Sequence, residues 1–239
     1  MSLIDYLYPK HCPVCLDALP PGKTLICKDC IPKIRYVKGA LCYKCGKPLS
    51  DGSREYCRNC EARMPSFLAG ISWAEYTSFY TQNLMIRVKY FGDSQLLDFP
   101  CKDFIEKNRA RILGWKAEAL IPVPVHPEKL LKRGYNQAEE IANRFSASLG
   151  IPVLSDCLIR NENTKAQKSL TGVDRAMNLF RAFSLAKPLP VKTVILIDDI
   201  YTTGATAEAC TRVLLQGGAK AVYFLSLAIG RDDSIGMTD

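Results

Sequence analysis

Val194-Ile195-Leu196-Ile197-Asp198-Asp199-Ile200-Tyr201-Thr202-Thr203-Gly204-Ala205-Thr206 joins an aliphatic run to two adjacent acids and a loop of small residues. The aliphatics read as a buried parallel strand. An apolar-periodic helix begins near Ala207. Small loop residues let backbone N–H groups turn inward around an anion, and the helix N-terminus adds partial positive charge. Thr202, Thr203 and Thr206 add hydroxyl donors, while Asp198 and Asp199 can accept hydrogen bonds from a vicinal diol. The segment therefore asks for a phosphate and a ribose side by side. A P-loop is excluded, because no Gly-Lys-Ser/Thr follows the strand. A dinucleotide fold is excluded, because no strand is followed by Gly-x-Gly-x-x-Gly.

Outward from this segment the pattern alternates. Residues 71–76 read as a strand, 79–91 and 94–112 as helices, and 119–123 as a strand. Residues 137–149 read as a helix with Gly150 at its C′ position. A strand begins at Ile151, a polar loop covers about 160–180, and short strands follow at 182–185 and 192–198. A helix over 207–215 and a strand over 221–228 complete the series. Residues 1–9 read as a short amphipathic helix, and the last nine are expected to fray. This order implies an α/β fold with a mostly parallel sheet flanked by helices. Ligands of such sheets bind beyond the strand C-termini.

Eight of the eleven cysteines form four C-x-x-C pairs that recur every fifteen residues: Cys12/Cys15, Cys27/Cys30, Cys42/Cys45 and Cys57/Cys60. Two such turns complete a tetrahedral thiolate shell, so the array predicts two structural Zn²⁺ sites in a small ribbon-like module over residues 1–65. A sequential assignment is simplest, with a cross-braced one as the alternative. Disulfides need an oxidising compartment. The opening Met1-Ser2-Leu3-Ile4-Asp5-Tyr6 shows no basic n-region or apolar signal core, so a cytoplasmic chain is expected. Four thiolates leave no open coordination position, so these sites are structural and not catalytic. Cys101, Cys157 and Cys210 read as core residues. The second domain is expected over 66–239, after the junction at Met64-Pro65-Ser66.

The 239 residues are 48% hydrophobic and 23% charged, ordinary values for a globular chain. No apolar run approaches the ~18–20 residues a membrane helix needs. The formal charge of +8 suggests nucleic acid, but two Zn(Cys)₄ sites would lower it to about +4.

The Asp198–Thr206 segment resembles the phosphoribosyl-pyrophosphate (PRPP) motif of type I phosphoribosyltransferases, whose fold the resemblance implies. In that family the two acids hold the ribose 2′ and 3′ hydroxyls, and the Thr-rich loop holds the 5′-phosphate. The resemblance assigns PRPP to Asp198, Asp199, Thr202, Thr203, Gly204, Ala205 and Thr206, with Mg²⁺ accompanying the pyrophosphate. An earlier loop touches pyrophosphate in that family, which nominates Val125, His126 and Arg133. A long closing loop nominates Lys165, Lys168 and Arg175. Arg133 with Lys132 also reads as a solvated helix-start cluster, Asn136 as an N-cap, and His126 as a surface residue. Tyr201 either shields the site or packs.

The whole series resembles the ComF family of competence-associated, phosphoribosyltransferase-like proteins, from about residue 5 to 230. It runs through four C-x-x-C pairs, Pro122-Val123-Pro124, Arg133-Gly134-Tyr135-Asn136-Gln137, Thr164-x-x-Gln167, Arg175-x-x-Asn178 and the PRPP motif. The resemblance implies handling of single-stranded DNA in natural transformation, with competence proteins as partners. Arg35, Lys38, Lys44, Lys47, Arg54, Arg58 and Arg63 then offer charge to a nucleic acid. Tyr36, Tyr43 and Tyr56 either stack bases or pack around metal. Two other classes fit the motif: an active phosphoribosyltransferase for a nucleobase or small amine, and a PRPP-sensing regulator.

Overall fold

The computed structural model describes residues 9–231 except 10, 13, 21–25, 91, 93 and 162–181. Its strands are β1 (Gly70–Glu75), β2 (Ala119–Pro122), β3 (Leu158–Arg160), β4 (Phe183–Leu185), β5 (Thr193–Tyr201) and β6 (Ala221–Ile229). Its helices are α1 (Arg58–Ala62), α2 (Phe79–Tyr90), α3 (Asp98–Gly114), α4 (Pro127–Arg133), α5 (Gln137–Leu149) and α6 (Ala205–Gln216). Four strands form a sheet in the order β1-β6-β5-β2, with each neighbouring pair parallel. β3 and β4 form a separate antiparallel pair.

Alternate side chains of β5 point to opposite faces of the sheet. Ile195 and Ile197 join an apolar cluster with Phe104 and Ile112 of α3 and Ile141 and Phe145 of α5. Val194 and Leu196 join a second cluster with Cys210 and Leu214 of α6 and Phe183 of β4. A strand buried on both faces has no polar side, which is why its sequence shows no alternation. The zinc-binding cysteines divide in the same way. Cys12 and Cys30 belong to the first cluster, whereas Cys42, Cys45, Cys57 and Cys60 belong to the second. Cys101, Cys157 and Cys210 are buried, as expected.

Helix α5 has the expected bounds. Elsewhere the elements shift for physical reasons. β5 runs on to Tyr201 because its pairing with β6 continues through Asp198↔Ser226 and Tyr201↔Ile229. Both acids therefore lie within the strand, and α6 starts at Ala205. The helix expected from 94 opens as a 3₁₀ turn, Ser94–Leu97, before α3 begins. The strand expected from Ile151 is reduced to one parallel bridge, Leu120↔Val153. Pro152 there has no N–H to offer a ladder. Helix α4 was not expected. Pro127 begins it, the His126 side chain caps it, and Gly134 ends it at φ +78°. The expected helix at 1–9, apart from Pro9, and nearly all of the terminal stretch lie outside the described residues.

Asn136 ties the turn after α4 to the sheet. Its side-chain oxygen accepts from the Ala138 N–H at 3.1 Å, and its Nδ2 donates to the Val123 carbonyl at 3.0 Å. The residue acts as an N-cap. Asn136→Ala removes both bonds from a buried position and should destabilise the fold by about 1–3 kcal/mol, to be read from urea unfolding midpoints.

Candidate functional site

The two acids sit at the C-terminal end of the sheet. The Asp199 N–H donates to Asp198 Oδ1 at 2.8 Å. Lys89, from the last turn of α2, places its Nζ 3.5 Å from Asp199 Oδ2. Burial pushes the Asp198 carboxyl well above the usual carboxylate range, and the neighbouring Asp199 charge adds to the rise. The Asp199 N–H and Lys89 work against it.

Beyond the acids the chain turns at Thr202, Thr203 and Gly204 into α6. Thr202, Thr203 and Ala205 are exposed, with Gly204 and Thr206 half-buried, so the loop is open to solvent. Gly204 has φ +83°, and a Cβ there would lie 2.7 Å from Tyr201 Cζ. Only glycine satisfies both demands. Tyr201 itself is buried and packs on Phe67 and Phe224. It supports the loop from beneath and does not shield it.

A set of basic side chains gathers near the acids. Lys129 has its pKa pushed down by burial and then by Arg160, Arg133 and Lys89, which stand close to it. Arg133 donates to Gln137 Oε1 at 3.2 Å, and its guanidinium lies 5.3 Å from the Tyr90 ring centre. The Tyr135 hydroxyl donates to the Val88 carbonyl. The end of α2 is thus lashed to the turn between α4 and α5. Arg133 closes a helix and does not start one. His126 uses Nδ1 to accept from the Glu128 N–H at 3.3 Å, so it caps α4. Val125 is half-buried in the preceding segment. Lys165, Lys168 and Arg175 lie outside the described residues. Lys89, Lys129 and Arg160 were not nominated from sequence. Nothing linear connects Lys89 to acids so far along the chain, although the helical register of α2 places it in the final turn.

The cysteines assemble sequentially. Cys12, Cys15, Cys27 and Cys30 form one tetrad, and Cys42, Cys45, Cys57 and Cys60 the other, with ligand atoms within 4.8 Å of one another in each. Sγ atoms of Cys15 and Cys27 are 3.7 Å apart, and those of Cys45 and Cys57 are 3.6 Å apart. A tetrahedron with Zn–S bonds of about 2.3 Å has edges of about 3.8 Å, so the donor sets fit zinc. The two ribbons repeat the same turn. Cys12 N–H donates to the Asp17 carbonyl and Leu16 N–H to that of Cys12; Cys42 N–H donates to the Lys47 carbonyl and Gly46 N–H to that of Cys42.

The aromatic and basic residues around the ribbons divide. Tyr36 packs edge-on to Trp73 with Lys107 over its ring, whereas Tyr43 is exposed beside the half-buried Tyr56. Arg54 pairs with Glu61 at 2.5 Å. Lys47, expected on the surface, is buried at 1% exposure, and its Nζ donates to the Thr202 carbonyl at 3.1 Å. Among the described residues no helix is long and apolar enough to cross a membrane.

The double zinc ribbon domain family model matches residues 3–61. Competence protein F of Haemophilus influenzae is 29% identical over 227 residues, covering 91% of this chain and 96% of that protein. The chain is similar to that competence protein along nearly its whole length. Competence protein ComFC of Bacillus subtilis is 29% identical, over 82% of this chain and 80% of its own. The DNA utilization protein YhgH of Escherichia coli is 27% identical, over 90% and 94%. Among solved structures, a purine phosphoribosyltransferase from Pyrococcus horikoshii overlaps 56% of this chain and 72% of its own, at a TM-score of 0.33 and 19% identity.

Two predictions follow from this geometry. Purified protein should hold two zinc ions per chain, and Cys45→Ser should release one of them, as counted by metal analysis. Asp198 binds a proton more readily folded than unfolded, so it removes stability as pH rises from about 4 upward. Asp198→Asn should therefore raise the urea midpoint at pH 8 relative to the parent and leave it nearly unchanged at pH 3.

Proposed function

We propose that this ComF-like chain binds PRPP with Mg²⁺ at the end of β5 and acts in the cytoplasm on single-stranded DNA during competence. One observation carries the PRPP reading. Two acids, an open Thr-rich loop and a helix N-terminus lie within a few residues of each other, beside the cluster of Lys89, Lys129, Arg133 and Arg160. The loop N–H groups and the Thr202, Thr203 and Thr206 hydroxyls would take the 5′-phosphate. Asp198 and Asp199 would accept from the ribose hydroxyls. Lys89 would be released from Asp199 toward the pyrophosphate, joining the other cations there. When bound, Mg²⁺ would supply further neutralisation of the pyrophosphate charge. If an acceptor attacks C1′, pyrophosphate leaves with the bonding electrons. The cations would hold the departing charge, so this chain's part in such a step is positioning and electrostatics.

Support for the DNA reading comes from the relatives, named for competence and for DNA utilization over nearly the whole chain. On the ribbons, exposed Tyr43 with Lys44 and Arg58 offers a ring and charge to a strand. Other competence proteins would be its partners.

Isothermal titration with PRPP and Mg²⁺ should give a saturable site. Asp198→Asn with Asp199→Asn should weaken it about 100-fold or more, since at least two charge-assisted hydrogen bonds are lost. Normal binding by that double variant would overturn the assignment. A ³¹P NMR time course with a pool of nucleobases separates the two uses of the site. Shifted PRPP signals without new pyrophosphate mean binding, and new pyrophosphate above a protein-free control means phosphoribosyl transfer. Affinity for an oligo-dT strand should fall steeply with salt.

A further inference from the structure

The second ribbon reaches the phosphate loop through a buried cation. Lys47 follows the Cys42/Cys45 knuckle. The knuckle is seated on the start of β1 by backbone contact. Gly70 N–H donates to the Lys44 carbonyl at 2.7 Å, and a Cβ on Gly46 would lie 2.6 Å from the Gly70 carbonyl oxygen. Gly46 also has φ +74°. These contacts seat the knuckle against the sheet, and the Lys47 stem leaves it next to Gly46. Its ammonium, buried with the rest of the side chain, donates to the Thr202 carbonyl. An ammonium withdrawn from water is costly unless it is paired, and here the partner is a loop that is otherwise open.

We infer that Lys47 is a positioning residue for the 5′-phosphate loop. The inference rests on the PRPP reading of Asp198–Thr206. The physical link is the planarity of one peptide. In a trans peptide the carbonyl and the following N–H point in opposite directions. With the Thr202 carbonyl held toward Lys47, the Thr203 N–H is turned away from the ribbon, to the open side of the loop. That is the side on which an anion can approach. Without Lys47 the peptide is free to rotate, and the carbonyl oxygen can face the phosphate.

The first ribbon provides the contrast. Thirty residues earlier the same turn places Leu16 at the left-handed position, φ +69°, and Asp17 at the position of Lys47. Asp17 is exposed. The turn by itself therefore does not require a buried charge at this position. A second tie links the chain after the second ribbon to the same loop from its far end. Ser66 donates from its N–H and its hydroxyl to the Glu208 carboxylate, at 2.6 and 2.8 Å, in the first turns of α6.

The test uses full-length, zinc-loaded Lys47→Met and Lys47→Arg. Zinc content is measured, then affinity for ribose 5-phosphate and, separately, for inorganic pyrophosphate, then amide hydrogen exchange over 202–206. Lys47→Met should keep two zinc ions, lose about 10-fold in ribose 5-phosphate affinity, leave pyrophosphate affinity unchanged and exchange faster at 203–205. Lys47→Arg should recover part of the lost affinity. Parent-like ribose 5-phosphate affinity in Lys47→Met, or equal losses for both ligands, would overturn the inference. If the parent protein binds neither ligand, the PRPP reading fails, and exchange alone decides whether Lys47 orders the loop; unchanged exchange overturns it. Should Lys47→Met lose zinc, Lys47→Gln replaces it. Zinc loss from both would overturn the inference by assigning Lys47 to the folding of its own ribbon.

Discussion

A strand that is apolar on both faces has to be covered on both faces. β5 is such a strand, with Val194 to Ile197 free of solvent, and the rest of the molecule is arranged around that demand. Helices α2, α3 and α5 cover one side; α6 and the β3–β4 pair cover the other. The helices are not sufficient, and each side is completed by a zinc ribbon. The ribbons are too small to hold a core of their own, so metal ligation and the shared apolar contact stabilise them together. Each tetrad is consequently part of a cluster that also contains sheet residues.

The cover stops at the C-terminal end of the strand, and there the balance reverses. Asp198 and Asp199 are adjacent like charges, one of them held toward its neutral form by burial. On the other side, burial depresses the Lys129 pKa, and the charges of Arg160, Arg133 and Lys89 add to the fall. Lys89 relieves both sets slightly by reaching Asp199. Like charges gathered in this way lower the stability of the fold.

The parts of this arrangement legible in sequence were those with local signatures. The unbroken aliphatic run marked a doubly covered strand, and the fifteen-residue cysteine period marked two four-thiolate centres. The capping and terminating residues of α5 set its bounds. What was hidden depended on contacts between distant segments. The basic cluster draws on α2, α4 and β3, and no periodicity marks that convergence. Lys47 looked like one surface charge among several, because a lysine stem gives no sign of where its ammonium ends. Helix α4 did carry signals, Pro127 at its start and Gly134 at its end, but they lay inside a stretch read as a ligand loop. At Ile151 the apolar residues suggest a strand, but Pro152 has no N–H for a ladder and one bridge is all that forms.

The sheet order has a consequence for how the chain is built during synthesis. β1 pairs with β6, the last strand, and the ties from Lys47 to Thr202 and from Ser66 to Glu208 span 155 and 142 residues. Both ribbons emerge from the ribosome long before the surfaces that cover them. Zinc can close each knuckle early, since its ligands are local. The apolar faces then wait, and one edge of β1 has no strand beside it, until residues 221–229 are made. Contacts of such long range form slowly and leave apolar surface exposed meanwhile. The metal centres hold the early half of the chain in shape until the late half arrives to cover it.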